Sequence, residues 1–191
     1  MASLPEYRVT PDEYLRMERA AESKSEYDDG AIMAMSGASL RHNLIVIALG
    51  HSLLSRLGNR CLVLASEMKV RVLNPTRFFY PDVSVVCDRP QLADDRRDVL
   101  LNPLIVFEVL SYGTENYDRG RKFLSYQEIA SLQEYVLVSQ DEPLVERYRR
   151  EADDWVYTKS EGLDAVVDLR AASCELPLRE IYTQVDFSTT S

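Results

Sequence analysis

The segment LIVFEVL, residues 104–110, restricts the fold of this chain more than any other part of its sequence. Every position except Glu108 is apolar, which is typical of a strand buried on both faces of a sheet. Helical spacing follows in residues 114–130, and a second apolar strand, EYVLVSQ, follows at 134–140. This order predicts a right-handed crossover between two strands of one sheet. The expected fold class is α/β, with a mixed central sheet flanked by helices.

The amino-terminal part predicts a helix and a hairpin. TPDEYLRME (10–18) carries Thr10 as N-cap, Pro11 at the first helical position and Glu13 to complete a capping box. SEYDDGAIMAMSG (25–37) places Asp-Asp-Gly between two short alternating runs, which indicates a hairpin turn.

A longer helix is expected from about Ser39 to Leu57, with Gly58 as its stop. Its apolar stripe consists of Leu40, Leu44, Ile47, Ala48 and Leu54. Strands are then predicted in 61–73 and 80–88, followed by shorter strands in the last third of the chain and a closing helical turn at 177–182.

Length and composition favour one globular domain over residues 1–191, since no Pro/Gly/Ser-rich linker or fixed repeat divides the chain. The net charge of -9 argues against a simple nucleic-acid-binding module, so any polyanion must be held locally. Basic residues cluster in DRGRK (118–122) and VERYRR (145–150), which could form a local patch or merely solvated faces.

The expected location is cytoplasmic, because the sequence shows neither a signal-like start nor an apolar run of about 20 residues. Cys61, Cys87 and Cys174 are odd in number and widely spaced. We therefore expect reduced core residues and no disulfide framework or zinc site.

Two carboxylates at strands are the candidate functional groups. Glu108 interrupts a buried strand, where an unpaired charge is costly, and Asp82 follows Pro81 at the start of another apolar run. If the two strands are neighbours, both carboxylates converge, and Mg²⁺ is the natural cation for such oxygen ligands. Lys122, on the next helix, is the candidate ammonium that assists a metal-bound nucleophile.

YPDVSVV, LIVFEVLS, YDRGRKFLSY and EYVLV, in this order and spacing, resemble the bacterial Uma-two-type family of restriction-endonuclease-like proteins in the PD-(D/E)XK nuclease superfamily. The resemblance runs from TPDEYLRME to LPLREIY. It implies a restriction-endonuclease-like fold and a metal-dependent endonuclease that acts on nucleic acid, with DNA favoured. It also implies Mg²⁺ or Mn²⁺ on Asp82 and Glu108, Glu26 as a further acid of the site, and a homodimer, for which the sequence shows no heptad or interface stripe.

One position departs from the superfamily pattern. Leu110 stands where the lysine of (D/E)XK is expected, and Lys122 on the following helix resembles the migrated lysine of this family. EMK at 67–69 matches the ExK motif but precedes the Pro-Asp strand instead of following it. Its residues alternate with Val70 and Val72 as on an exposed strand face, so we interpret the match as non-functional.

Structural alternatives exist for each candidate. Glu108 could form a buried ion pair with Lys122, and Asp118 could form a surface helix pair with the same lysine. Asp82 could cap the start of its strand through a turn hydrogen bond, and Glu26 could be an ordinary acid of the hairpin. The chain would then be a non-catalytic binding or assembly domain that keeps the nuclease fold. His42 and His51 lie about half a turn apart on one helix, so they cannot form a two-histidine metal site on one helix face.

Overall fold

A computed structural model describes residues 8–74 and 76–188. The helices within these residues are α1 (Pro11–Glu18), α2 (Leu40–Leu57), α3 (Glu115–Tyr117), α4 (Phe123–Tyr126) and α5 (Leu178–Ile181). A π-helical segment, Asp118–Lys122, joins α3 to α4. The strands are β1 (Ser25–Asp28), β2 (Ala31–Ala34), β3 (Leu62–Ala65), β4 (Lys69–Val72), β5 (Arg77–Phe79), β6 (Val83–Val86), β7 (Val99–Leu100), β8 (Ile105–Val109), β9 (Glu134–Val138), β10 (Leu144–Glu151), β11 (Asp154–Glu161), β12 (Val166–Leu169) and β13 (Cys174–Pro177).

The largest sheet is mixed and has the strand order β11-β10-β9-β8-β6-β3. Its strands pair antiparallel except β8 and β9, which run parallel and are joined through the helical residues 115–126. The predicted mixed α/β fold and its parallel crossover pair are therefore confirmed. A second sheet has the order β2-β1-β5-β4-β7, and β12 pairs with β13. The single strand predicted over 61–73 is wrong, because a turn separates β3 from β4 and places them in different sheets.

Local signals near the amino terminus are confirmed. Thr10 Oγ1 accepts a hydrogen bond from the Glu13 amide, and Glu13 Oε2 accepts one from the Thr10 amide, which is the predicted capping box. Asp29 and Gly30 have φ angles of 47° and 102°, as a tight hairpin turn between β1 and β2 requires. Glycine adopts such an angle without the steric cost of a side chain.

Helix α2 has the predicted ends, but its predicted stripe does not face the protein. Ser39 caps the first turn and Gly58 follows the last. The side chains that enter the core are Ile45, Leu49, Leu53 and Leu57. The predicted stripe lies on the opposite side, where Leu40 and Ile47 are strongly exposed. A helix with two apolar faces cannot show from its own sequence which face is buried.

Strand β8 separates two apolar cores. Ile105, Phe107 and Val109 pack beneath α2, while Val106 and Leu110 pack against the helical residues 115–126. Since side chains alternate across a strand, Glu108 faces the second core. The strand is thus buried on both sides, as its sequence predicts, and its one acid lies within the packed interior.

The expectation of reduced cysteines is wrong for two of the three. Cys61 and Cys87 form a disulfide, and only Cys174 is a free, buried thiol. The register Leu62↔Val86 explains the pairing, because it places the two cysteines opposite each other just beyond β3 and β6. Among the described residues, no helix is long and apolar enough to cross a membrane. The cytoplasmic location stays a prediction.

Candidate active site

Asp82, just before β6, lies beside Glu108 of the neighbouring antiparallel strand β8. The register Val83↔Phe107 places Asp82 beside Glu108 on the next rung, and the Val109 amide donates to Asp82 Oδ2 at 2.7 Å. Both side chains line one cavity of about 1380 Å³. The two strands are therefore neighbours, as the convergence of the two acids required.

Lys122 lies at the centre of a buried ionic cluster. Its Nζ is 2.9 Å from Glu108 Oε1, 3.1 Å from Glu26 Oε1 and 3.7 Å from Asp118 Oδ1. All four side chains are at most 10% exposed. The structure thus gathers three of the residues singled out in the sequence, Glu26, Glu108 and Lys122, and adds Asp118 to them.

Further hydrogen bonds fix the acids of this cluster. The Tyr126 hydroxyl donates to Glu108 Oε1 at 3.2 Å, and the Tyr80 amide donates to Glu26 Oε1 at 3.0 Å. Thr114 Oγ1 donates to Asp118 Oδ2 at 2.8 Å. Because Asp118 is buried, its pairing with Lys122 is not the surface helix pair considered as an alternative.

The π-helical segment positions both Asp118 and Lys122. Within Asp118–Lys122, the first and last residues are buried and turn toward β8. The Tyr135 hydroxyl, from β9, donates to the Asp118 carbonyl at 3.0 Å and ties the segment to the sheet. Single π-helical turns occur frequently at functional sites, where they alter the direction of side chains.

Burial and mutual charge set the protonation of this cluster. Burial raises the pKa of Glu108 well above its usual value, although the Lys122 ammonium acts in the opposite direction. Burial also raises the pKa of Asp118. For Lys122, burial alone would lower the pKa, but Glu108, Glu26 and Asp118 outweigh it and hold the pKa well above its usual value. Lys122 is therefore a cation at neutral pH and suits the stabilisation of negative charge.

His42 reaches the same site from α2. Its Nε2 lies 3.2 Å from Asp82 Oδ2, and both side chains are mostly buried. Asp82 Oδ2 is thus held on one side by the Val109 amide and on the other by an imidazole. This contact fixes the orientation of the Asp82 carboxylate toward the cavity.

A model of the Uma2 family, described as "Putative restriction endonuclease", matches residues 11–179 of the chain. The chain belongs to this family. The family assignment made from the sequence is confirmed.

Relatives of this Uma2 protein cover most of the chain. A Synechocystis protein described as "Uncharacterized protein slr1290" is 35% identical over 189 residues, covering 97% of both chains. A second one, "Uncharacterized protein sll1609" from the same organism, is 34% identical over 162 residues, covering 84% of this chain and 92% of the relative. A crystal structure described as a "putative nuclease" from Anabaena variabilis aligns with a TM-score of 0.74 at 20% identity, over 92% of this chain and 98% of the other. This likeness supports the fold.

The arginines near the acidic cavity mostly form hydrogen bonds and ion pairs within the protein. Arg119 bonds Glu115 and Glu146, and Arg121 pairs with Asp28. Arg150 donates to the main-chain carbonyls of residues 127, 129 and 132. The two basic clusters of the sequence therefore serve internal contacts to a large extent, and Arg119 is less available to a phosphate group than an unpaired surface arginine would be.

The carboxylates of the site suit a hard divalent cation. The hydrogen bonds and the closest ion-pair contacts of these carboxylates are made through one oxygen each, namely Asp82 Oδ2, Glu108 Oε1 and Glu26 Oε1. In the part of the chain that the structure describes, no group of three or more His, Cys, Asp or Glu residues is arranged as a metal centre. Mg²⁺ needs no such group, because it binds through one or two carboxylates and keeps several waters. The donor chemistry of Asp82 and Glu108 fits this mode of binding.

Sequence reasoning missed His42 and the buried role of Asp118. His42 lies one turn after the N-cap Ser39. The sequence signal that could have identified it is a histidine in the first turn of a helix that packs on the core.

The EMK segment does not line the cavity. Glu67 lies in a turn, and Lys69 pairs with Asp98 at 3.0 Å. The expectation that Lys69 lies on an exposed face is wrong, because it is buried.

Proposed function

We propose that this Uma2 protein is a metal-dependent endonuclease, formed by one restriction-endonuclease-like domain over residues 1–191, that hydrolyses phosphodiester bonds of DNA. The observation that carries the proposal is the cluster around Lys122: several carboxylates and one ammonium lie together at a cavity of about 1380 Å³. A structural ion pair needs one acid for each base, whereas this site has an excess of acids.

Asp82 and Glu108 would hold Mg²⁺ or Mn²⁺, and such an ion, when bound, lowers the pKa of a bound water and polarises the phosphate. Lys122 supplies a fixed positive charge where negative charge develops during hydrolysis. Glu26 and Asp118 hold the Lys122 ammonium from two sides, and His42 holds Asp82. The contacts among these residues support the roles proposed for them.

The competing function is a non-catalytic binding or assembly domain. The direct contact of Lys122 with Glu108 favours it, because a closed ion pair needs no metal. The acidity of the cavity also favours it. The cavity lining contains six acidic and three basic residues: Glu26, Asp82, Glu108, Glu115, Asp118 and Asp141 against Lys24, Arg41 and Lys122.

The deciding experiment compares cleavage of supercoiled plasmid and single-stranded DNA in Mg²⁺, Mn²⁺ or EDTA by the wild type, Glu108→Gln and Glu67→Gln. Glu67 is an exposed acid outside the cavity and provides the matched control. The proposal requires metal-dependent cleavage that Glu108→Gln loses and Glu67→Gln keeps. If the wild type neither cleaves DNA nor binds Mg²⁺ in calorimetry, the nuclease proposal is wrong and the protein is a non-catalytic binding or assembly domain.

A further inference from the structure

Helix α2 carries a second apolar face that points to solvent. Leu40, Ile47 and Leu54 are 75%, 69% and 54% exposed, and they follow one another at intervals of seven residues. Leu44 and His51 lie between them, so that the five residues are spaced four, three, four and three positions apart. This pattern is that of a heptad seam through which two helices pack. Four of these residues belong to the stripe that the sequence predicted to face the core, namely Leu40, Leu44, Ile47 and Leu54. We call these five residues the α2 seam.

The borders of the α2 seam lack acidic residues. Asn43 and Gly50 lie along one side, and Arg41, Ala48 and Ser55 lie along the other. The whole helix contains no Asp or Glu, although the chain has 31 acidic residues and a net charge of -9. Small neighbours allow another helix to approach closely. Two copies of so acidic a protein repel each other least across a face of this kind.

We propose that the α2 seam is the contact surface for a second copy of this chain, with the two α2 helices antiparallel about a two-fold axis at Ile47. The three most exposed residues of the seam are symmetric about Ile47, since Leu40 and Leu54 each lie seven positions away. In an antiparallel pair, Leu40 of one copy meets Leu54 of the other, and Ile47 meets its counterpart. A two-fold contact requires this self-complementarity. The proposal does not depend on nuclease activity.

Electrostatics favours the antiparallel arrangement over the parallel one. The amino-terminal residues 40–43 of α2 line the acidic cavity, whereas the carboxyl end of the helix lies outside its lining. An 18-residue helix is about 27 Å long, so antiparallel packing separates the two acidic cavities. Parallel packing would bring them together. Antiparallel helix dipoles also attract each other.

The first test is the mass in solution, measured by light scattering after gel filtration, of the wild type, Ile47→Glu and Leu124→Glu. Leu124 is 63% exposed and lies outside α2, so it is the matched control. We expect the wild type and Leu124→Glu to have about twice the monomer mass of 21.8 kDa, and Ile47→Glu to be a folded monomer by circular dichroism. A monomeric wild type, or a dimeric Ile47→Glu, would overturn the proposal. In the first case the α2 seam is left for a different protein partner.

Cysteine cross-linking tests the arrangement of the helices. Under oxidation, Ile47→Cys should form a covalent dimer, and Leu40→Cys should do so only when mixed with Leu54→Cys. The wild type is the background control, because Cys174 is buried and Cys61 is bonded to Cys87. Cross-linking of Leu40→Cys with itself would overturn the antiparallel arrangement. Failure of Ile47→Cys to cross-link would overturn the two-fold axis at Ile47.

Discussion

Lys122 and Glu108 form an ion pair 2.9 Å long whose side chains are only 6% and 5% exposed. Lys122→Met removes the ammonium and leaves Glu108, Glu26 and Asp118 together in the interior. Removal of one partner of a buried ion pair costs about 3–5 kcal/mol. We therefore expect the free energy of unfolding, measured by urea denaturation, to fall by about that amount. Adding Glu108→Gln to Lys122→Met should restore part of it. Additive losses in the double variant would contradict the direct coupling of the two side chains.

His42 should control metal affinity through Asp82. His42→Ala frees one side of the Asp82 carboxylate without removing a proposed ligand. Loss of a partner that orients a ligand typically weakens metal binding about 10–100-fold, and we expect this decrease for Mn²⁺ or Mg²⁺ in calorimetry. His51→Ala, an exposed histidine of the same helix, should bind metal like the wild type. Equal affinity in His42→Ala would show that the contact is only structural.

Tyr112 should bind an unpaired nucleobase. Its side chain is fully exposed at the edge of the cavity, four residues after Glu108. Stacking of a base on an aromatic ring contributes about 1–3 kcal/mol, so Tyr112→Ala should weaken the binding of labelled single-stranded DNA by that amount in fluorescence anisotropy. Tyr112→Phe should keep the affinity, and an abasic oligonucleotide should bind all variants equally weakly. If Tyr112→Ala binds like the wild type, the residue is not a stacking platform.

Asp98 should stabilise the protein at neutral pH but not in acid. Its hydrogen bonds with Arg19, at 2.6 and 3.0 Å, and its pairing with Lys69 lower the pKa of its carboxyl against the effect of burial. A lowered pKa contributes stability that is present above the unfolded value of about 3.9 and is lost as the pH falls. Asp98→Asn should therefore be less stable than the wild type at pH 7, and the difference should shrink below about pH 4. A difference independent of pH would exclude the ionic contribution.

The disulfide between Cys61 and Cys87 predicts the number of free thiols. Protein unfolded without reductant should show one reactive thiol, from Cys174, and three after reduction. Closing a chain segment of this length typically stabilises a protein by about 2–4 kcal/mol, so Cys61→Ser should lower the unfolding free energy by that amount. Three reactive thiols before reduction would instead agree with the reduced cysteines expected from the sequence.

Local patterns of the sequence determined the elements and their chemistry. The capping box at Thr10, the turn at Asp29 and Gly30, and the ends of α2 depend on neighbouring residues alone, and the structure confirms each. The apolar run around Glu108 determined a strand buried on both sides and so identified the acid that needs a partner. These features are predictable because the interactions that produce them span only a few residues.

Tertiary structure decided what these elements meet. Only the packing of α2 showed that Ile45 faces the core and Ile47 the solvent, since both faces of the helix are apolar. His42 approaches Asp82, and Cys61 bonds Cys87, through contacts between residues 40 and 26 positions apart. The sequence alone determined that Glu108 must be compensated. The fold decided that Lys122 compensates it, because only the chain's return over β8 brings that ammonium into the same buried space.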